Sequence, residues 1–167
     1  MPRSFDMAAD YASSVPTVLA AFGDERYWLA RLDASTGEAH LDQLTRDSDG
    51  AITVRTTEVL DSDTLPALVR QVYPGDLRVE RSEHWSPVSG GSSTATVTGA
   101  VPGAPVRLAG NGTLSPAHAG SHLQLTVSVE VRIPLVGGKI EEMLGGQLRE
   151  LIAYEQRFTT EWLTGRS

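Results

Sequence analysis

The stretch LRVERSEHWSP, residues 77–87, holds the densest set of side chains able to do chemistry. Read as a strand, its alternation puts Leu77, Val79, Arg81, Glu83 and Trp85 on one face. The outer members of that set are apolar, so the face is expected to point inward and to take Arg81 and Glu83 with it. A charge removed from water is costly unless it is paired. In the run ITVRTTEVL, Glu58 shares a face with Ile52, Val54, Thr56 and Leu60, and is expected to look the same way. An arginine between Glu83 and Glu58 in an apolar interior has three uses. It would anchor the polar head of a ligand, orient a carbonyl for acid–base chemistry, or stand solvated near a rim as a structural pair.

Other chemistries find little support. His40, His84, His118 and His122 are scattered, and the His118/His122 spacing falls where Pro116 and Ala119-Gly120-Ser121 read as a turn. With no acidic cluster beside them, neither a metal site nor a cofactor is expected. There is no G-x-S-x-G elbow, and GNGT at 110–113 lacks the later Gly and Lys of a phosphate loop. The chain has no cysteine, which excludes disulfides, thiolate catalysis and zinc–sulfur sites. No catalytic residue is assigned.

The elements that must position Arg81, Glu83 and Glu58 can be read along the chain. RSFDMAADY reads as an opening strand with Phe5, Met7 and Ala9 on one face. Ser14 and Pro16 open a helix whose Val18, Leu19 and Phe22 share a side, and Gly23-Asp24 ends it and caps a second. Six strand-like segments follow: 38–47, 51–60, 77–87, 93–101, 106–116 and 121–134. Between the second and third, SDTLPALVRQVYPGD is irregular and leaves room for one helical turn. The last strand is the clearest, with Leu123, Leu125, Val127, Val129, Val131 and Ile133 against Gln124, Thr126, Ser128, Glu130 and Arg132. Such alternation belongs to an antiparallel sheet with one wet face.

From Lys139 to Leu163 a long amphipathic helix is predicted, about 37 Å at 1.5 Å per residue. Its stripe runs through Ile140, Met143/Leu144, Gln147/Leu148, Leu151, Tyr154/Glu155, Phe158 and Trp162. The glycine pairs 137–138 and 145–146 at its start imply close approach of its backbone to a sheet or a ligand, each Gly costing about 0.5–1 kcal/mol against Ala. Strand, two short helices, six strands and one helix make an α+β layer: a curved seven-stranded antiparallel sheet wrapped around the C-terminal helix.

This order resembles the START-like superfamily, the polyketide cyclase/dehydrase group with its helix-grip fold. The segments VRIPLVGGKIEEML and FDMAADYASSVPTVLAAFGDERYW are similar to a chiefly actinobacterial branch of it, a domain of unknown function. The resemblance covers the whole chain in topology, residues 1–167 as a single START-like domain. It implies a deep cavity between sheet and C-terminal helix for a hydrophobic or amphipathic small molecule, and it transfers no catalytic residues. The expected cavity contacts are Glu58, Tyr73, Arg81, Glu83, Trp85, Met143, Gln147, Leu151, Tyr154 and Phe158. Tyr27, Trp28 and Tyr73 would either gate an entrance or cap the core.

Composition bounds the partners. With 14 basic against 21 acidic residues and a net charge of −7, the chain lacks the basic stripe of a nucleic-acid binder. No 18-residue apolar stretch occurs, so no integral membrane association is expected. The opening residues lack the apolar run of a signal peptide, and a cytoplasmic location is expected. The function expected is binding, transport or sensing of a lipid-like small molecule. The alternatives are a protein-interaction module with a filled core and a cyclase/dehydratase-type enzyme.

Overall fold

The computed structural model describes residues 2–34 and 37–165. β1 (Arg3–Tyr11) leads into α1 (Val15–Phe22) and α2 (Glu25–Asp33). β2 (Glu38–Arg46) and β3 (Ile52–Leu60) follow, then a 3-10 turn at Ser62–Thr64 and α3 (Ala67–Val72). β4 (Leu77–Trp85), β5 (Ser93–Ala100), β6 (Val106–Ala117), β7 (Gly120–Val131) and α4 (Gly137–Thr164) complete the order. The strands form one antiparallel seven-stranded sheet in the order β1-β7-β6-β5-β4-β3-β2. β1 and β2 are therefore the edges, and α1 and α2 carry the chain from one edge to the other. The sheet curves around α4, the helix-grip arrangement expected from the sequence.

Local chemistry accounts for the breaks between elements. The Ser14 hydroxyl accepts from the Thr17 N–H at the start of α1. Gly23 closes α1, and the Asp24 carboxylate accepts from the Arg26 N–H at 2.9 Å to open α2. In β2 the register against β3 shifts between Leu41 and Gln43. This bulge at Asp42 explains why no clean alternation is visible in EAHLDQLTR. Leu41 and Leu44 both face the interior although three positions separate them.

The interior has two parts. Beneath α1 and α2 lies a close-packed aromatic core of Phe22, Tyr27, Trp28 and Trp85, with Phe158 and Trp162 of α4 against it. Tyr27 and Trp28 are among the most buried side chains, so they belong to the core and not to an entrance. At the other end, Met7, Leu125, Val127, Val129 and Val131 meet Ile140 of α4 and Val69 of α3.

α4 begins two residues before Lys139, and a buried carboxylate ties its start to the sheet. Glu141 accepts from the Val131 N–H at 2.8 Å, at the last residue of β7. The two members of the second glycine pair differ. A Cβ on Gly145 would collide with the Phe5 ring of β1, whereas one on Gly146 would meet nothing within 4 Å. Gly146→Ala should therefore raise stability by about 0.5–1 kcal/mol, and Gly145→Ala should lower it by about 1–3 kcal/mol. Urea denaturation reads both, and the Gly145→Ala loss should shrink in a Phe5→Ala background. Equal effects at the two positions would refute close packing as the reason for the pair.

Candidate functional site

Between the two cores, four charged side chains from three elements meet. Arg81 and Glu83 come from the inward face of β4, Arg31 from α2 and Glu155 from α4. The Arg81 guanidinium donates to both carboxylate oxygens of Glu155, at 2.7 and 3.1 Å, and lies 3.1 Å from Glu83 Oε2. The Arg31 Nη2 lies 2.5 Å from Glu155 Oε2, and its guanidinium sits 4.5 Å over the Trp28 ring. Arg31 Nη1 also donates to the Tyr27 hydroxyl, which is 2.6 Å from Thr159 Oγ1, and Thr159 donates back to the Glu155 carbonyl. Beside this cluster is a void of about 40 Å³ lined by Tyr11, Phe22, Trp85 and Thr159 among others. It has the size of about one water molecule and no room for an organic ligand. Trp85 Nε1 is buried without a hydrogen-bond partner among the described residues.

The electrostatics follow from geometry. Burial alone would push the Glu155 carboxyl up, but Arg31 and Arg81 outweigh it and hold its pKa at about 2. Burial works against the charge on each arginine as well, and Glu155 reverses this, raising both above their ordinary range. Burial likewise raises the Tyr27 phenol. Glu155 thus stays ionised at neutral pH, and Arg81 is committed to two carboxylates.

A second, apolar opening lies at the other end, between the sheet and the first half of α4. It is a cavity of about 350 Å³. Leu77 and Val79 of β4, Val106 and Leu108 of β6, and Val129 and Val131 of β7 form its floor. Ile140, Leu144, Gln147, Leu148 and Leu151 of α4 form one wall. Leu65, Pro66, Val69, Val72 and Tyr73, in and around α3, form the other, with Glu58 and Leu60 of β3 beside them. Val72 and Leu151 are each 37% exposed, which places them at its rim. Gly99 and Ala100 at the end of β5 and Ala104 in the β5–β6 turn also line it.

Of the residues expected at a ligand, Glu58, Tyr73, Gln147 and Leu151 line this cavity. Arg81, Glu83 and Trp85 line the small void in the charge cluster instead. Met143 and Tyr154 stand on α4 outside both linings, with Tyr154 exposed at the surface. Phe158 packs edge-on to Tyr27 in the aromatic core, their ring centroids 5.7 Å apart. The inward direction of Arg81 and Glu83 is as the alternation predicts, but the second carboxylate on Arg81 is Glu155 and not Glu58. Sequence reasoning did not bring Glu155 or Arg31 to this cluster, and it allowed one helical turn before Pro74 without giving it the role of a wall. A signal for the first two was present: Glu155 follows Leu151 by four in the helix stripe, and Arg31 follows Tyr27 by four on the buried face of α2.

The comparisons bear on the family and the fold. Residues 6–163 match the family model described as "Protein of unknown function (DUF2505)", and the chain belongs to that family. An uncharacterized protein of Mycobacterium tuberculosis is 46% identical over 175 aligned positions that cover 98% of each chain, and one of Mycobacterium bovis is equally similar. Among solved structures, TTHA0849 from Thermus thermophilus superposes with a TM-score of 0.59 at 14% identity, covering 100% of this chain and 99% of that one. A START superfamily protein from Mycobacterium smegmatis gives 0.51 at 12% identity, covering 99% of each chain. The fold is the START-like helix grip. No helix among the described residues is long and apolar enough to cross a membrane.

The charge cluster carries a prediction with a definite sign. Glu155 has its pKa depressed from 4.5 to about 2, so the stability it adds is present above pH 4.5 and is lost as pH falls toward 2. That loss should be on the order of 3 kcal/mol. Glu155→Gln should cost about 3–5 kcal/mol at neutral pH, because it leaves two buried arginines with one carboxylate. It should also flatten the stability profile between pH 4.5 and 2. Denaturation followed by circular dichroism across that range checks both, and an unchanged slope would remove Glu155 from the account.

Proposed function

We propose that this DUF2505 family member acts as a single START-like domain, residues 1–167, that binds a hydrophobic or amphipathic small molecule as a carrier or sensor. Residues 1, 35, 36, 166 and 167 of that span lie outside the described residues. The observation that supports this reading is the apolar cavity of about 350 Å³ beside a core that is otherwise closely packed. Protein interiors leave few voids larger than a water molecule. An unfilled apolar space is unfavourable because its lining side chains lose packing contacts. A ligand that fills the space offsets part of the cost, and the volume lies at the low end of the ~300–1,000 Å³ typical of small-molecule sites. At about 30 Å³ per water-sized group, it takes on the order of ten such groups.

In this reading Glu58, Tyr73, Gln147 and Leu151 touch the ligand, with Val129 in the floor beneath it. Arg81 and Glu83 instead hold α4 against the sheet through Glu155. This arrangement favours a binder over an enzyme of the cyclase or dehydratase type, since the arginine that would orient a carbonyl is already engaged.

A neutral apolar dye such as N-phenyl-1-naphthylamine tests the reading by fluorescence titration. Wild type should bind it saturably at one site. Val129→Phe places a ring in the cavity floor and should weaken binding by about tenfold or more while the far-ultraviolet circular dichroism stays native. A wild type that fails to bind the dye, or a folded Val129→Phe that binds as well as wild type, would contradict the assignment of this cavity.

A further inference from the structure

The charges in and around the cavity specify the head group of its ligand. Among the described residues that line it, Glu58 is the only ionisable carboxylate, and no lysine, arginine or histidine contributes. Tyr73 and Gln147 supply its other polar side chains. Glu58 is half-buried on β3 and makes no hydrogen bond or ion pair among the described residues. The nearby arginines do not compensate it. Arg31 and Arg81 are matched by Glu83 and Glu155 at hydrogen-bonding distances, so those four groups sum to zero charge. Of the carboxylates acting on Arg81, Glu58 comes after Glu155 and Glu83. An acid-headed ligand, the kind that Arg81 suits on the sequence alone, would meet a like charge and no cationic side chain among the described lining residues.

We propose that the cavity selects amphiphiles with a cationic amine head: an apolar body of roughly ten groups and an ammonium paired with the Glu58 carboxylate. Gln147 and Tyr73 supply neutral hydrogen-bonding partners beside it. A charge-assisted N–H···O bond to a partly buried carboxylate is stronger than one between neutral groups. It also discriminates against carboxylate heads through repulsion, which is how a binding site rejects a close analogue. This inference rests on the cavity being the binding site and adds the class of ligand.

The test uses three probes of equal chain length, decylamine, decanol and decanoate, each displacing the neutral dye below its micelle-forming concentration at pH 7. For the wild type, decylamine should be effective at a concentration about tenfold or more below that of decanoate, with decanol between them. In Glu58→Gln, a substitution of nearly equal shape, the amine and the acid should become equivalent within about twofold, while decanol is unchanged. Glu80→Gln, which alters an exposed charge on the other face of the sheet, should leave the preference intact. Decanoate equal to or better than decylamine in wild type, or an amine preference that survives Glu58→Gln, would overturn the inference even if decanol binds. Failure of all three probes would overturn the cavity reading, and the head-group inference with it.

Discussion

Glu155 is the point at which three elements are joined. Its carboxylate takes Arg31 from α2 on one side and Arg81 from β4 on the other, with all three groups largely withdrawn from water. A buried ion pair is seldom a net source of stability compared with well-packed apolar groups, because desolvation offsets most of the attraction. What the triad does is fix geometry. α4 cannot slide or rotate on the sheet without leaving an arginine buried and unmatched. The register of a 28-residue helix is therefore set near its C-terminal half, and a second buried carboxylate, Glu141 on the N–H of Val131, sets it near the start.

Fixing α4 at two places lets the segment between them do something other than pack. On the α1–α2 side of the triad, Phe22, Tyr27, Trp28, Trp85 and Phe158 fill the interior. On the other side the stripe of Leu144, Leu148 and Leu151 faces a floor of Val and Leu across open space, with α3 as the far wall. Gly145 lets the helix approach Phe5 of β1 closely. Rigidity at the packed end and hollowness at the other are two consequences of one arrangement. Together with Glu83, Glu155 neutralises the two arginines, which leaves Glu58 as the one charged side chain among the described residues that line the cavity.

Much of this was legible in the residues, and the part that was not has physical causes. Strong alternation in β7 and the stripe of α4 identified the sheet, the helix and their shared interior, because each element has one wet face. Alternation in β4 turned Arg81 and Glu83 inward correctly. It could not name their partner, since Arg81 and Glu155 are 74 residues apart and their meeting depends on how α4 is rotated against the sheet. The six-residue α3 is too short for a periodic signal, so the sequence allowed one helical turn there and placed Tyr73 at the cavity without showing that the turn forms a wall. The bulge at Asp42 erased the pattern in β2. Periodicity also says which side chains face inward but not whether they touch, so it left a hollow and a filled interior both open, and the expectation of a cavity rested on the family resemblance. Four of the ten residues expected at a ligand line that cavity, Glu58, Tyr73, Gln147 and Leu151. Three of the others, Arg81, Glu83 and Trp85, border the void beside the triad.

The central claim is that the space between α3, α4 and the sheet holds a small molecule. Native mass spectrometry of the freshly purified protein, followed by separate exposures to an excess of decylamine, decanol and decanoate, tests it most directly. The account predicts a non-covalent adduct in the fresh protein or a single stoichiometric adduct after exposure, lost in each case under denaturing spray and reduced by Val129→Phe. A protein that stays at its apo mass before and after exposure would contradict it.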